Sequence, residues 1–374
     1  MRFVISSSVL SARLQTIGRV IVSKNSLPIL DSFLFEIKAG QLRLTASDNE
    51  TTLITWMDLS ECDGDITFAV NAKTIQDAMK EIPEQPLEFY VNNENLEITV
   101  IYQNGKYNFM GQPADEYPSP AELTEEIGSL TISTHDLFTG INRALFATAD
   151  DQLRPVMNGV FFDMTENALT IVASDGRKLA CDTLINAHPS NVGNFILQKR
   201  PAGLLKNILT KEAGDVVLKY SARNAFIQTE NYQMACRLTE GRYPNYNSVI
   251  PQDNPYSATI NREALISALR RVQVFSQAGG SVIKLQLGNS KMTVSTQNID
   301  FSMSAEENIL CDYTDMPMSI GFPSGSLMDV LTNIDGEEII FRLADPSRAG
   351  VMYPVEQPEG EHILMLLMPV MISE

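Results

Sequence analysis

The sequence predicts an α+β fold built from three copies of one unit, on three observations. Segments 3–10, 130–137 and 258–265 align without gaps. Their apolar residues continue in step at Leu14, Ile141 and Leu269, then at Ile17, Ala144 and Val272. The offsets, 127 and 128 residues, are far longer than a solenoid repeat, so each copy is a folded unit. Next, residues 42–48 match 169–175 at the same offset of 127, while the third counterpart, 291–296, is looser. Finally, Glu116-Tyr117-Pro118 and Arg242-Tyr243-Pro244 each stand just before the next copy begins. The units expected are 1–122, 123–253 and 254–374.

Each unit opens on a short strand. A helix follows, with Leu10, Leu14 and Ile17 of the first copy at helical spacing. Ser133 or Thr134 can cap the second copy's helix, and Asn261, ahead of Glu263 and Ala264, caps a third-copy helix over 261–277. Alternating strands come next, such as 33–37 and 41–45. A second helix is predicted over 73–82, 202–209 and 327–334, and further strands complete the unit. Two helices and many antiparallel strands per unit give α+β rather than α/β.

With 44% hydrophobic and 20% charged residues over 374 positions, the chain is neither disordered nor fibrous. No apolar run is long enough to span a membrane as a helix, and no membrane partner is expected. Serines and Arg13 interrupt the first fourteen residues, so no secretory signal is expected. Cys62, Cys181, Cys236 and Cys311 lie far apart without a CxxC, which suits free thiols in the cytoplasm.

The net charge of −18 argues against a nucleic-acid partner unless the cations are gathered on one surface. The second unit has twelve basic residues and is the least acidic. In helix 73–82, Ile75, Ala78, Met79 and Ile82 form one face, and Lys73 and Lys80 fall opposite. Arg270 points away from Leu265, Ala268, Leu269 and Val272. Lys206 is on the polar side of its helix, Lys199 and Arg200 precede that helix, and Arg143 flanks an apolar face. Basic residues on equivalent helices of three copies can line one shared polyanion-binding surface. The third unit's second helix is the exception, with Asp329 among its polar positions.

No P-loop, HExxH, GxSxG or paired CxxC is present, and His135, His188 and His362 lie in separate units. Neither a catalytic triad nor a metal or cofactor site is therefore expected. Asp48, Glu50, Asp150 and Asp151 leave one enzymatic alternative, a Mg²⁺-dependent phosphodiesterase. Because Asp48 and Asp175 are repeat-equivalent, turn formation is the structural reading of both. A β-rich module binding peptides or sugars is the second alternative.

Several motifs, in order and correctly spaced, carry a family resemblance. They are Leu27-Pro28-Ile29-Leu30, Met157-Asn158-Gly159, the run from Ala173 to Leu179, Glu240-Gly241-Arg242-Tyr243-Pro244 and Met368-Pro369-Val370-Met371. Over its whole length the chain resembles the bacterial DNA polymerase III beta subunits, the sliding clamps. The resemblance implies a DNA clamp fold whose two protomers join head to tail into a six-domain ring around duplex DNA. It implies a non-catalytic processivity factor, placed on DNA by a clamp loader and tethering DNA polymerases and repair factors through short peptides. Sequence-independent, salt-sensitive contacts suit a sliding ring, which reconciles DNA binding with the acidic total.

The resemblance also assigns residues. Lys24, ahead of the Leu-Pro-Ile-Leu motif, joins Lys73, Lys80, Arg143, Lys199, Arg200, Lys206 and Arg270 as DNA contacts. A polar DNA-latch residue falls near Asp151 or Gln152. The partner-peptide cleft takes Met157, Ser174, Gly176, Arg177, Leu179, Pro244, Val249, Ser326, Met368, Pro369 and Met371. Adaptable methionines suit a surface that accepts many peptides. Ser326 stands where an aromatic residue is familiar, which should open the cleft, and Ser373 and Glu374 extend past the usual apolar end. Val274 and Phe275 match the dimer contact.

Overall fold

The computed structural model describes residues 1–25, 27–185, 187–276, 282–298 and 301–372. Its helices are α1 (Ser7–Ile17), α2 (Ala72–Lys80), α3 (Thr134–Leu145), α4 (Lys199–Leu209), α5 (Arg262–Gln273) and α6 (Ser324–Asn333), two per sequence copy. The repeat register is right in physical terms. Leu10, Leu14 and Ile17, and their counterparts in α3 and α5, are all at most 2% exposed. Burying each large side chain contributes roughly 1.5–3 kcal/mol.

Short polar caps start these helices at equivalent places. Ser6 Oγ accepts the Val9 amide at 3.3 Å, Ser133 Oγ the Asp136 amide at 3.0 Å, and Asn261 Oδ1 the Ala264 amide at 2.9 Å. Asn71 caps α2 in the same way at 3.0 Å. Helix boundaries differ from the expected ones for local reasons. α2 stops at Lys80 because Pro83 disfavours helical backbone at Ile82. α4 begins at Lys199, since Pro201 in the first turn lacks only an amide the helix leaves unpaired anyway. α5 ends at Gln273, where the Phe275 and Ser276 amides turn to carbonyls three residues back at 3.1 Å. The predicted end at Gln277 lies outside the described residues.

Among the described residues the strands form sheets of five, eight and twelve, in two compact units. Unit 1 comprises Met1–Leu137 and Arg200–Leu238; unit 2 comprises Phe138–Lys199 and Thr239–Glu374. In unit 1, first-copy strand Thr51–Asp58 pairs antiparallel with second-copy strand Tyr232–Arg237, making the eight-stranded sheet continuous across the copies. In unit 2, second-copy strand Lys178–Leu184 pairs in the same way with third-copy strand Glu361–Leu367 inside the twelve-stranded sheet. The second and third copies each contribute two four-strand sets, the first a four-strand set and the five-stranded sheet, and equivalent strands make both seams.

The equivalence reaches single turns. Asp48 Oδ1 accepts the amides of Glu50 and Thr51 at 3.0 and 2.7 Å, and Asp175 Oδ1 those of Arg177 and Lys178 at 2.8 and 2.9 Å. Ser47 Oγ and Ser174 Oγ each donate to the carbonyl four residues on and accept the amide two residues on. The turns pass through positive φ at Asn49 (79°) and Gly176 (88°), residue types that tolerate it. Asp48 and Asp175 are thus turn formers.

Candidate nucleic-acid interface and peptide cleft

Among the expected DNA contacts, Arg143 and Arg200 are committed to carboxylates. Lys73 and Lys80 are exposed on α2, opposite buried Ile75 and Met79. Lys24, Lys199 and Arg270 are also exposed, and Lys206 is half-buried on α4. Arg200 is exposed but tied down. Its guanidinium pairs with Asp48 and donates to the Val20 carbonyl at 2.5 Å.

Arg143 is a correction. It is 6% exposed, and its guanidinium is enclosed by Asp182 at 2.7 Å, Asp335 at 2.7 Å and Glu361. Burial opposes its charge, but the bonds to those three carboxylates hold its pKa above the ordinary arginine value. Burial pushes the Asp182 carboxyl the other way, up to about 6, against the pull of Arg143 and with Glu361 and Asp335 adding to the rise. The two shifts agree physically: one cation serves three anions, so the cation gains more than the most buried anion does. Arg143 organises the join of second and third copies and cannot serve a phosphate. Flanking an apolar face read as exposure in the sequence; the three carboxylates come from distant strands and loops that no local pattern reveals.

Asp329 is not a lone acid on α6. Lys178 Nζ pairs with it at 2.8 Å and lies 5.4 Å from the Phe146 ring centroid. Asp151 is committed as well, to the Arg154 guanidinium at 2.8 Å and the Leu153 amide at 2.9 Å. These bonds hold its carboxyl below the usual range and leave it a turn former rather than a phosphate latch. Glu50 lies 3.6 Å from Arg237. Of the carboxylates considered for Mg²⁺, Asp48, Glu50 and Asp151 are spent on backbone amides and arginines.

Met157, Ser174, Gly176, Arg177, Leu179, Pro244 and Met368 lie along or beside the second-to-third-copy seam in unit 2. Leu179 faces Leu366 across it, and both are buried. Beneath lies an apolar cluster with Phe161 stacked on Tyr243, centroids 4.6 Å apart, and Tyr246 packed against it. The Tyr246 hydroxyl donates to Asp163 at 2.8 Å. Gly176 lies beside Met157, and a Cβ built on it would stand 3.9 Å from Met157 Cε. Met157 and Leu179 therefore form floor rather than rim. The Ser174 turn presents Arg177, whose carbonyl accepts the Met368 amide at 2.8 Å.

Beyond Met368 the tail crosses to the strand before α6, where the Val370 amide reaches the Gly321 carbonyl at 2.9 Å. A Cβ on Gly321 would lie 2.9 Å from the Val370 carbonyl oxygen, so glycine permits this approach. Ser326 is half-buried in the first turn of α6. Met368 (39%), Met371 (84%) and Val249 (54%) are exposed, with Pro244 exposed and Pro369 half-buried. An aromatic floor below exposed methionine, proline and valine is chemistry for an apolar peptide. Ser373 and Glu374 lie outside the described residues.

Val274 and Phe275 follow α5 and are exposed by 75% and 43%. Cys181, Cys236 and Cys311 are buried, and burial pushes the first two thiols up to about 12. Among the described residues no helix is long and apolar enough to cross a membrane.

Copies of a two-helix, two-sheet unit joined through equivalent strand seams define the DNA clamp class. The DNA polymerase III beta subunit family matches nearly the whole chain: its N-terminal domain at residues 1–121, its central domain at 131–245 and its C-terminal domain at 247–370. The chain is 27% identical over 368 residues to the beta sliding clamp of Pseudomonas aeruginosa, covering 98% of this chain and 99% of that one. The crystal structure of a Pseudomonas aeruginosa sliding clamp superposes with a TM-score of 0.92 at 24% identity, covering 100% of each chain. That of the Thermotoga maritima beta subunit gives 0.91 at 23%, again over 100% of each. The chain belongs to the DNA polymerase III beta subunit family. It is a sliding clamp, a processivity subunit without chemistry of its own, and the phosphodiesterase and sugar-binding alternatives find no support.

Proposed function

We propose that two copies of this chain close head to tail into a ring of six domains, bounded near 1–122, 123–253 and 254–374, that encircles duplex DNA. One observation carries the proposal. The strand that makes each seam on one copy is Thr51–Asp58, then Lys178–Leu184; its third-copy equivalent is Met303–Asp312. The strands that receive them are Tyr232–Arg237 and Glu361–Leu367; the first-copy equivalent is Gly105–Met110. Among the described residues, Gly105–Met110 pairs on one side only, and so does Met303–Asp312 up to Leu310. An open third-copy edge and an open first-copy edge, each equivalent to a paired one, are complementary between two chains. Open edges call for a partner, and an antiparallel seam there repeats the two inside the chain. Val274 and Phe275 supply apolar cover beside it.

In this reading Lys24, Lys73, Lys80, Lys199, Lys206 and Arg270 face the duplex, and the unit 2 cleft receives short peptides from polymerases and repair factors. The ring works in the cytoplasm and needs a loader to open it. The test loads the protein onto nicked circular DNA with a clamp loader, washes at high salt, and then linearises the circle. Retention on the circle and loss on linearisation are expected. Equal release from both forms, with a known clamp loading normally in parallel, would sink the encirclement reading.

A further inference from the structure

Within unit 1, α1 and the 3₁₀ turn after it, Gly18–Val20, meet α4 and the residues that follow it along a seam of four cations, Arg13, Arg19, Arg200 and Lys211. Two are neutralised. Arg200 pairs with Asp48, and Arg13 donates to Asn231 at 2.8 Å while lying 4.0 Å from buried Glu212. The other two are held only by neutral atoms among the described residues. Arg19 Nη1 donates to Asn207 Oδ1 at 2.8 Å, and Lys211 Nζ donates to Thr16 Oγ1 at 2.6 Å. Thr16 is buried and its hydroxyl donates to the Ala12 carbonyl at 2.8 Å, so the acceptor under Lys211 is fixed. Arg19 and Lys211 are both exposed. An ammonium has three N–H donors and a guanidinium five, so most of their donors remain unused by these bonds.

We infer that Arg19 and Lys211 form a phosphate-binding site for the sugar-phosphate backbone of a duplex, bridging the first and second sequence copies. The inference deepens the DNA-encircling reading and rests on it. Neutral partners fix where each cation sits without cancelling its charge, which is what an anion site needs. Burial holds the Lys211 ammonium below the ordinary lysine value, and the nearby charges of Arg19 and Arg13 add to that, so an arriving anion relieves a repulsion already present.

The test measures duplex oligonucleotide binding by the full chain across a salt series. Arg19→Gln with Lys211→Gln should lower the slope of log affinity against log salt by about two, one per lost contact. Arg19→Lys with Lys211→Arg keeps the charge and should restore the slope. Failure of that conservative pair, with thermal melting unchanged, would overturn the inference in favour of a purely structural seam. An unchanged slope in the glutamine pair would overturn it too. If Lys73→Gln with Lys80→Gln still lowers the slope in that case, the DNA reading survives and only this site falls. No duplex binding by the wild-type chain at low salt would remove both.

Discussion

Tyr117 and Tyr243 occupy equivalent positions before successive copies and meet different fates. The Tyr117 hydroxyl reaches the carbonyls of Ser32 and Thr45, each at 3.3 Å. The Tyr243 hydroxyl is buried and has no hydrogen-bond partner among the described residues, its ring being held by the stack on Phe161. A made bond contributes about 0.5–1.5 kcal/mol, while removing an unsatisfied buried hydroxyl costs little or is favourable. Tyr117→Phe should therefore lower the urea midpoint measurably and Tyr243→Phe should leave it unchanged or raise it. The reverse order would mean that the repeat motif conceals a Tyr243 partner.

The Arg143 cluster makes a sharper demand at the same scale. Arg143→Ala would leave Asp182 and Glu361 buried beside each other without their cation, at a cost of about 3–5 kcal/mol. Asp182 itself titrates from an ordinary carboxylate value when unfolded to about 6 when folded. The folded state then holds the extra proton, so this residue's contribution is fully present at low pH and is lost as pH rises through about 6. In urea titrations between pH 4 and 7, wild type should lose stability relative to Asp182→Asn as pH increases. A flat difference would show that Arg143 fully offsets the burial.

At the scale of elements, helices were more legible than their ends or their charges. Gapless apolar spacing placed the cores of α1, α3 and α5, because a period of 3.6 residues survives divergence of everything between. What the sequence could not say is which cations stay free. Lys73 and Arg270 were read correctly as exposed, but Arg143 and Arg200 are consumed by acids distant in the chain. Arg19 and Lys211 gave no signal, because their placement depends on two helices meeting.

The cleft shows the same division. Its turn chemistry at Ser174, Asp175 and Gly176 was readable from repeat equivalence, whereas the burial of Met157 and Leu179 as floor was not. Removing residues 368–374 takes away Met368, Met371 and the link from Val370 to Gly321. Peptide binding should be lost while sedimentation still reports the dimer. A monomeric truncation would mean that the tail supports the distant edge as well.

For the whole molecule the decisive quantity is how many strand seams close. Among the described residues two are closed inside the chain, and the seam-equivalent strand on each of the first and third copies keeps an open side. The exposed apolar residues Leu310 (85%) on the third-copy strand and Met110 (59%) on the first-copy strand lie on those edges, and exposed Val274 and Phe275 follow α5. A charge placed at Phe275 would have to be desolvated in the closed ring but not in a free chain, so it acts on association and spares folding. Phe275→Arg should therefore sediment as a monomer at micromolar concentration with an unchanged melting profile for each unit, and loaded circles should fail to retain it. Reversing the charge of Lys73, Lys80 and Arg270 together should do the opposite: the dimer persists, but loading on DNA weakens. A Phe275→Arg protein that remains dimeric would place the ring contact away from α5, and unchanged DNA retention in the charge-reversed protein would remove those three residues from the inner surface.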